Sequence, residues 1–243
     1  MRVLIVSDIH ANQVALEAVL QDAPAHEAVW CLGDVIGYGP NPNECVEIVR
    51  DLPNLICLTG NHDAAAMGGV DLSSFNPEAR QSLEWTQSVL DQDTVAFLKE
   101  RPEVVEASKH VTLAHGSPRF PVYEYLLDTR SATENFDYFK TDYCFVGHTH
   151  LPVLFYLEPG DYMSRLAVPP INTVTELAPR AILNPGSVGQ PRDRDPRSSY
   201  AIYDTESHFW DYRRVEYDIK ETQRRMQEIG LPPRHAERLE GGW

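Results

Sequence analysis

No stretch of the 243-residue chain approaches the ~18 consecutive apolar residues that a membrane-crossing helix needs. Near the N-terminus, Arg2 and a five-residue apolar run are too short for the apolar centre of a secretory leader, so a cytoplasmic protein with no membrane partner is expected. Cysteine is scarce: Cys31, Cys57 and Cys144 fall inside apolar runs, Cys45 inside a predicted helix, and no pair has Cys-x-x-Cys spacing. That pattern predicts buried free thiols rather than a disulfide framework or thiolate zinc site. Positive charge is also short, 21 Lys and Arg against 36 Asp and Glu, for a net charge of −15. Such a surface repels nucleic-acid polymers and anionic membranes at long range. It leaves small phosphorylated substrates open, because a local cationic centre outweighs acidic charge lying beyond a Debye length of ~8 Å. Internal repeats and low-complexity linkers are lacking too. The expectation is therefore one domain over residues 1–243, with 64–102 as a candidate helical insertion or cap.

Arg2 to Ser7 reads as a buried strand, followed by helical spacing at Val14, Leu16, Ala18 and Leu20 with Asn12 at the N-cap position. Ala28 to Leu32 is a second strand, and Gly37-Tyr38-Gly39-Pro40 a loop. Asn41-Pro42-Asn43-Glu44 has the cap, proline and acid of a helix start. With a third strand at Leu55 to Leu58, this alternation predicts a parallel sheet. Residues 64 to 76 read as a loop over the site, and Asn76-Pro77-Glu78 opens a helix to about Leu90, with a second ending before Pro102. A hairpin is expected at Val104–Ala107 and Val111–Ala114, a helix at Ser131–Phe139 and a strand at Tyr143. Beyond Pro152, short apolar segments at 153–157, 162–168, 171–175, 180–183, 199–204 and 208–214 predict an antiparallel meander, giving two packed sheets. A helix from Asp218 to Ile229 is expected to bury Ile219, Met226 and Ile229 over a sheet, and the polar tail after Pro232-Pro233 to be disordered.

Five apolar runs end in residues that bind metals: Ser7-Asp8-Ile9-His10, Gly33-Asp34, Gly60-Asn61-His62-Asp63, His115-Gly116 and Gly147-His148-Thr149-His150. In extended chain, residues two apart point to one side, so Asp8 with His10 and His148 with His150 are each expected to converge. Carboxylate, imidazole and amide oxygen suit Mn, Fe, Zn, Co or Ni better than Ca. The seven candidates Asp8, His10, Asp34, Asn61, His115, His148 and His150 are too many for one tetrahedral ion. Two ions sharing a carboxylate would use them all, clamping both oxygens of an in-line displacement.

In this order, the five blocks resemble those of the calcineurin-like metallophosphoesterases, over Arg2 to about Tyr203. The resemblance implies an α/β fold, a four-layer αββα sandwich of two mixed sheets flanked by helices, with the metal site at the strand ends. It implies a first metal on Asp8, His10, Asp34 and His150, and a second on Asp34 as bridge, Asn61, His115 and His148. It further implies attack by a metal-bridging hydroxide and a general acid, His62, with Asp63 as its orienting partner.

Protein serine/threonine phosphatases of the superfamily carry an Arg in the second block. Here Gly33-Asp34 continues Val35-Ile36-Gly37-Tyr38, without that bidentate phosphate clamp, and Asp63 replaces a Glu. The chain is most similar to the small bacterial and archaeal phosphodiesterase-like branch, which includes relatives of diadenosine tetraphosphatase. The expected activity is hydrolysis of a small phosphodiester or nucleotide. The alternatives are a phosphomonoesterase and a non-catalytic protein-interaction scaffold of the same fold. Candidate substrate contacts are Asn12, Tyr38, Arg119 and Arg192, with helix capping as the competing role of Asn12 and ion pairing with Glu124 or Asp193 that of the arginines. The stretch Asn184-Pro185-Gly186-Ser187-Val188-Gly189 is either a close backbone approach to the site or a plain turn. His26, His110, His208 and His235 are expected at the surface, and Val104, Val105, Val111 and Leu113 are the candidates for pairing in a homo-oligomer.

Overall fold

In the computed structural model, which describes residues 1–70, 72 and 75–243, the first segment alternates strand and helix as the spacing predicts. It runs β1 (Arg2–Val6), α1 (Gln13–Asp22), β2 (Ala28–Cys31), α2 (Pro42–Arg50) and β3 (Ile56–Cys57). Three helices follow: α3 (Asn61–Ala66), α4 (Pro77–Val89) and α5 (Gln92–Lys99). Next come β4 (Val104–Ser108), β5 (Val111–Ala114), α6 (Thr129–Asn135), β6 (Tyr143–Phe145), β7 (Pro152–Tyr156) and β8 (Arg165–Ala167). The chain closes with β9 (Thr173–Glu176), β10 (Ala181–Pro185), β11 (Ser198–Asp204), β12 (Phe209–Val215), α7 (Ile219–Glu228) and α8 (Pro233–Gly241).

The strands form two six-stranded mixed sheets, ordered β3-β2-β1-β11-β12-β9 and β4-β5-β6-β10-β7-β8. In the first, β1, β2 and β3 run parallel; in the second, β5, β6 and β10 do. The pleat sorts side chains by layer. Val3 and Ile5 face the second sheet with Trp30, Leu113, Phe145 and Leu183, whereas Leu4 and Val6 face Leu16, Val46 and Leu83 of the helices outside. On the other side, Ala132 and Phe136 pack against Cys144 and Ile182 of the second sheet. The result is a helix–sheet–sheet–helix sandwich. The parallel strands of both sheets end on one edge, where ligand sites of α/β sheets lie.

Several expectations are corrected. The strands after residue 152 pair antiparallel with their neighbours apart from β10 with β6, but they are not one meander: β7, β8 and β10 join one sheet, β9, β11 and β12 the other. Residues 61–66 form α3 where a loop was predicted beyond residue 64; the rest of that predicted loop includes residues 71, 73 and 74, which lie outside the described ones. Asn41 makes no side-chain cap bond and instead accepts from Arg225. The tail is ordered as α8: Pro233 begins the helix, where its missing N–H costs nothing, and Gly242 ends it in left-handed conformation. His235 on α8 is buried, not superficial, and α7 packs on α8 and α1 with Met226 inside, leaving Ile229 beyond its last turn and 40% exposed. Val111 and Leu113 are sealed between the sheets, so they offer nothing to a second copy. All four cysteines are free and buried, as predicted. Among the described residues no helix is long and apolar enough to cross a membrane.

Candidate metal centre

All seven candidate donors lie just beyond the ends of the parallel strands and are buried, at most 8% exposed. Their convergence does not come from extended chain. Asp8, His10, Asp34, His148 and His150 all have positive φ, between 50° and 65°. Each strand has already ended, and the left-handed turn aims successive side chains inward at a conformational cost of about 1–3 kcal/mol each, the kind of strain that collects at functional sites.

Glycines make room for these turns. A Cβ on Gly60 would stand 2.0 Å from Asp34 Oδ1 and 2.4 Å from the Asp34 nitrogen, and one on Gly147 2.0 Å from Ser7 Oγ. Gly60→Ala is expected to destabilise the fold by at least the ~1–3 kcal/mol of overpacking, because the backbone atoms it meets cannot turn away. A urea midpoint equal to that of the parent would contradict this close approach.

Backbone amides pin the carboxylates. The His62 N–H donates to Asp34 Oδ1 at 2.9 Å, and the His148 N–H, from the other sheet, donates to Asp8 at 3.1 Å. Ser7 Oγ adds a bond to Asp8 Oδ2 at 2.6 Å. The turn at Ser187–Gly189 braces the same strand end: Ser187 Oγ and the Gly189 N–H both donate to the Asp8 carbonyl.

Three imidazoles face backbone carbonyls through Nδ1: His10 to Ile36 at 3.2 Å, His115 to Leu32 at 2.8 Å and His150 to Gln190 at 2.6 Å. A neutral ring bonded in this way carries its proton on Nδ1, so its Nε2 lone pair points into the centre. Yet His10 Nε2 and His150 Nε2 are 3.0 Å apart, and His115 Nε2 lies 3.2 Å from His148 Nδ1. Asp34 Oδ2 is 3.6 Å from His10 Nε2 and 3.4 Å from His115 Nε2, and Asn61 Oδ1 is 3.4 Å from the latter. Acceptors crowded this closely repel unless cations lie among them. The donors, all nitrogen and oxygen, therefore fit divalent metal ions. Three overlapping groups can hold one: Asp8–His10–His150, His10–Asp34–His62 and Asp34–His115–His148.

Without a cation the centre is electrostatically poor. Burial pushes His62 down to about 4, His148 to about 3, and His10 and His150 well below the usual imidazole range. Burial also raises Asp8 to about 7 and Asp63 to about 6. Burial opposes charge on His115 as well, but Asp34 and Asp8 lift it to about 9. Below about pH 6.5 the unfolded chain protonates the four depressed histidines while the fold cannot, which outweighs the two raised carboxylates. Chelator-stripped protein is thus expected to lose thermal stability between pH 6.5 and about 4. His115 works oppositely, its contribution being full below 6.5 and lost as pH rises through about 9. A melting temperature unchanged between pH 7 and 5 would contradict the buried neutral imidazoles.

Asp63 does not face the His62 ring; its carboxylate accepts the backbone N–H groups of Gly60, Val35 and Ile36, tying α3 to the loop after β2. Asn12 caps α1 through Ala15, accepts from Thr222 and donates to Gly189, so both ends of its amide are engaged. Arg119 is paired with Glu124 and Glu134. Arg192 bonds Gln190 rather than Asp193, its guanidinium lies 5.8 Å from the Tyr38 ring, and its charge reaches Asp8, His10, His62 and His150. Tyr38 is only 8% exposed, wedged between His10, His62 and His235 with ring centres 4.3–4.8 Å away. The residues that sequence reasoning missed are Phe75, which packs on His62, and Tyr125, whose ring stacks on His148 at 3.7 Å. Phe75 lies in the stretch 64–76 expected over the site and Tyr125 shortly after His115, but no local pattern marks which side chain of either loop turns inward.

Comparison with known proteins gives this arrangement its class. Residues 1–208 match the calcineurin-like phosphoesterase superfamily domain. The chain belongs to that superfamily, a family of metal-dependent phosphoester hydrolases. It is 45% identical, with a TM-score of 0.92, to the crystal structure of a metallophosphoesterase from Sphaerobacter thermophilus, covering 100% of this chain and 99% of the other. An uncharacterized protein of Methanocaldococcus jannaschii is 37% identical over 98% of this chain and 96% of its own. A symmetrical bis(5'-nucleosyl)-tetraphosphatase of Stutzerimonas stutzeri is 26% identical over a shorter stretch, 38% of this chain and 34% of that protein.

Proposed function

We propose that this protein is a dinuclear-metal phosphoesterase that hydrolyses a small phosphodiester or nucleotide. The observation carrying the proposal is the position of Asp34 Oδ2 between His10 Nε2 and His115 Nε2, which joins two donor clusters through one carboxylate oxygen. Asp8, His10, Asp34 and His150 would hold one ion; Asp34, Asn61, His115 and His148 would hold the other. Bound there, divalent ions such as Mn, Fe, Zn, Co or Ni supply positive charge for phosphate oxygens and acidify a water towards neutral pH.

The chain supplies the rest. Ile36, Leu32 and Gln190 carbonyls orient the imidazoles and fix their tautomers, while the amides of His62 and His148 hold the carboxylates. His62 is proposed to gain a proton when the anionic substrate offsets the burial that holds its ring neutral, and to pass that proton to the leaving-group oxygen. Its ring is buried beside His10 and Asp34, and its Nδ1 has no hydrogen-bond partner among the described residues. Asp63 positions His62 indirectly, by fixing the first turn of α3. Arg192 is a cation available to a phosphate oxygen facing away from the metals, and the acidic surface around this local positive charge disfavours polyanions while admitting small phosphorylated substrates.

The test is hydrolysis of bis(p-nitrophenyl) phosphate and p-nitrophenyl phosphate by metal-stripped protein with and without Mn²⁺. Metal-dependent cleavage favouring the diester is expected. Preference for the monoester would assign a phosphomonoesterase, and no turnover of either with metal bound would favour the scaffold.

A further inference from the structure

Beside the metal centre lies an open groove of about 260 Å³ whose floor includes Asn61 and His62 and whose walls include Tyr38, Phe75, Tyr123 and Tyr125. Tyr123 and Tyr125 are 54% and 48% exposed, a large aromatic area to leave in water next to buried polar donors. Phe75 stands edge-on to His62 with ring centres 5.5 Å apart. Tyr125 covers His148 with one face. The groove thus begins at the imidazole proposed to protonate the leaving group and continues between aromatic rings.

We infer that this groove is a nucleoside subsite on the leaving-group side, in which a nucleobase stacks against Phe75, Tyr123 and Tyr125 while the ester oxygen faces His62. The inference rests on the phosphoesterase reading of the site. Its volume is below the ~300–1,000 Å³ of pockets that enclose whole drug-sized ligands, which suits one nucleoside with its phosphate at the metals. Planar aromatic walls favour a base because every base offers a π-face. Tyr38, buried as it is, forms the edge of the subsite and not the stacking surface.

The experiment is isothermal titration of the Mn²⁺-loaded protein with adenosine 5'-monophosphate and with ribose 5-phosphate, which share the phosphoester and differ by the base. The nucleotide is expected to bind at least tenfold tighter. Tyr123→Ala and Phe75→Ala are each expected to erase most of that preference while leaving ribose 5-phosphate affinity within about twofold. Tyr162→Ala, at a 99% exposed residue outside the groove, should leave the preference intact. If Phe75→Ala does not fold, the exposed Tyr123 still decides. Equal affinities for the two ligands, or a preference that survives Tyr123→Ala, would overturn the subsite. Metal-dependent diester hydrolysis alongside that result would leave the phosphoesterase reading standing, whereas absence of hydrolysis would fail the reading itself.

Discussion

Asp34→Asn is expected to lower kcat/KM for a chromogenic phosphodiester by at least a thousandfold and to strip metal from both halves of the centre. Among the described residues, no other side chain places one oxygen within 3.6 Å of imidazoles from both clusters. An amide keeps the size of the group and an acceptor for the His62 N–H, so folding should persist. It removes the negative charge that would offset the two proposed cations in a site shielded from water, where charge interactions are strong. A loss of about 4 kcal/mol in transition-state stabilisation corresponds to roughly a thousandfold in rate. Elemental analysis of the dialysed variant should show metal reduced along with activity. A variant with full metal content and less than a tenfold loss would show that Asp34 is not shared.

His62→Ala is expected to act differently. Turnover of a substrate with an alkoxide leaving group should fall by about 10²–10⁴-fold, the usual contribution of a positioned general acid. A p-nitrophenolate leaving group needs no proton, so its hydrolysis should fall less than tenfold. Metal content should be unchanged, because neither proposed set of donors includes His62. This last measurement matters because His62 also groups with His10 and Asp34 at coordinating distances. Loss of metal in the variant would make His62 a ligand, and equal losses for both leaving groups would remove its role as acid.

Most of the centre was legible because its donors sit in short blocks at the ends of apolar runs, and strand ends are readable from composition. The fold brings Asp8, His10, Asp34, Asn61, His115, His148 and His150 together at one sheet edge. Spacing of two implies a common side only in extended chain, whereas Asp8, His10, His148 and His150 lie in left-handed turns that nothing but tertiary packing enforces. Asp63 was assigned to orient His62 from adjacency alone; the fold gives its carboxylate to three backbone amides, a role that depends on a loop nearly thirty residues away. The tail was misread because Pro232-Pro233 stops one helix and starts another, and only the burial of His235, Ala236 and Leu239 distinguishes the two. The division of strands 7 to 12 between sheets was likewise invisible, since alternation fixes which face of a strand is apolar and not which partner it finds.

A proposed pair of metal ions joined through Asp34 is tested by metal stoichiometry. Chelator-stripped protein is dialysed against Mn²⁺, freed of excess and analysed for metal per chain, with diester hydrolysis assayed across the titration. Two ions per chain are expected at saturation, with activity reaching its plateau only as the second binds. Saturation at one ion per chain with full activity would contradict the pair.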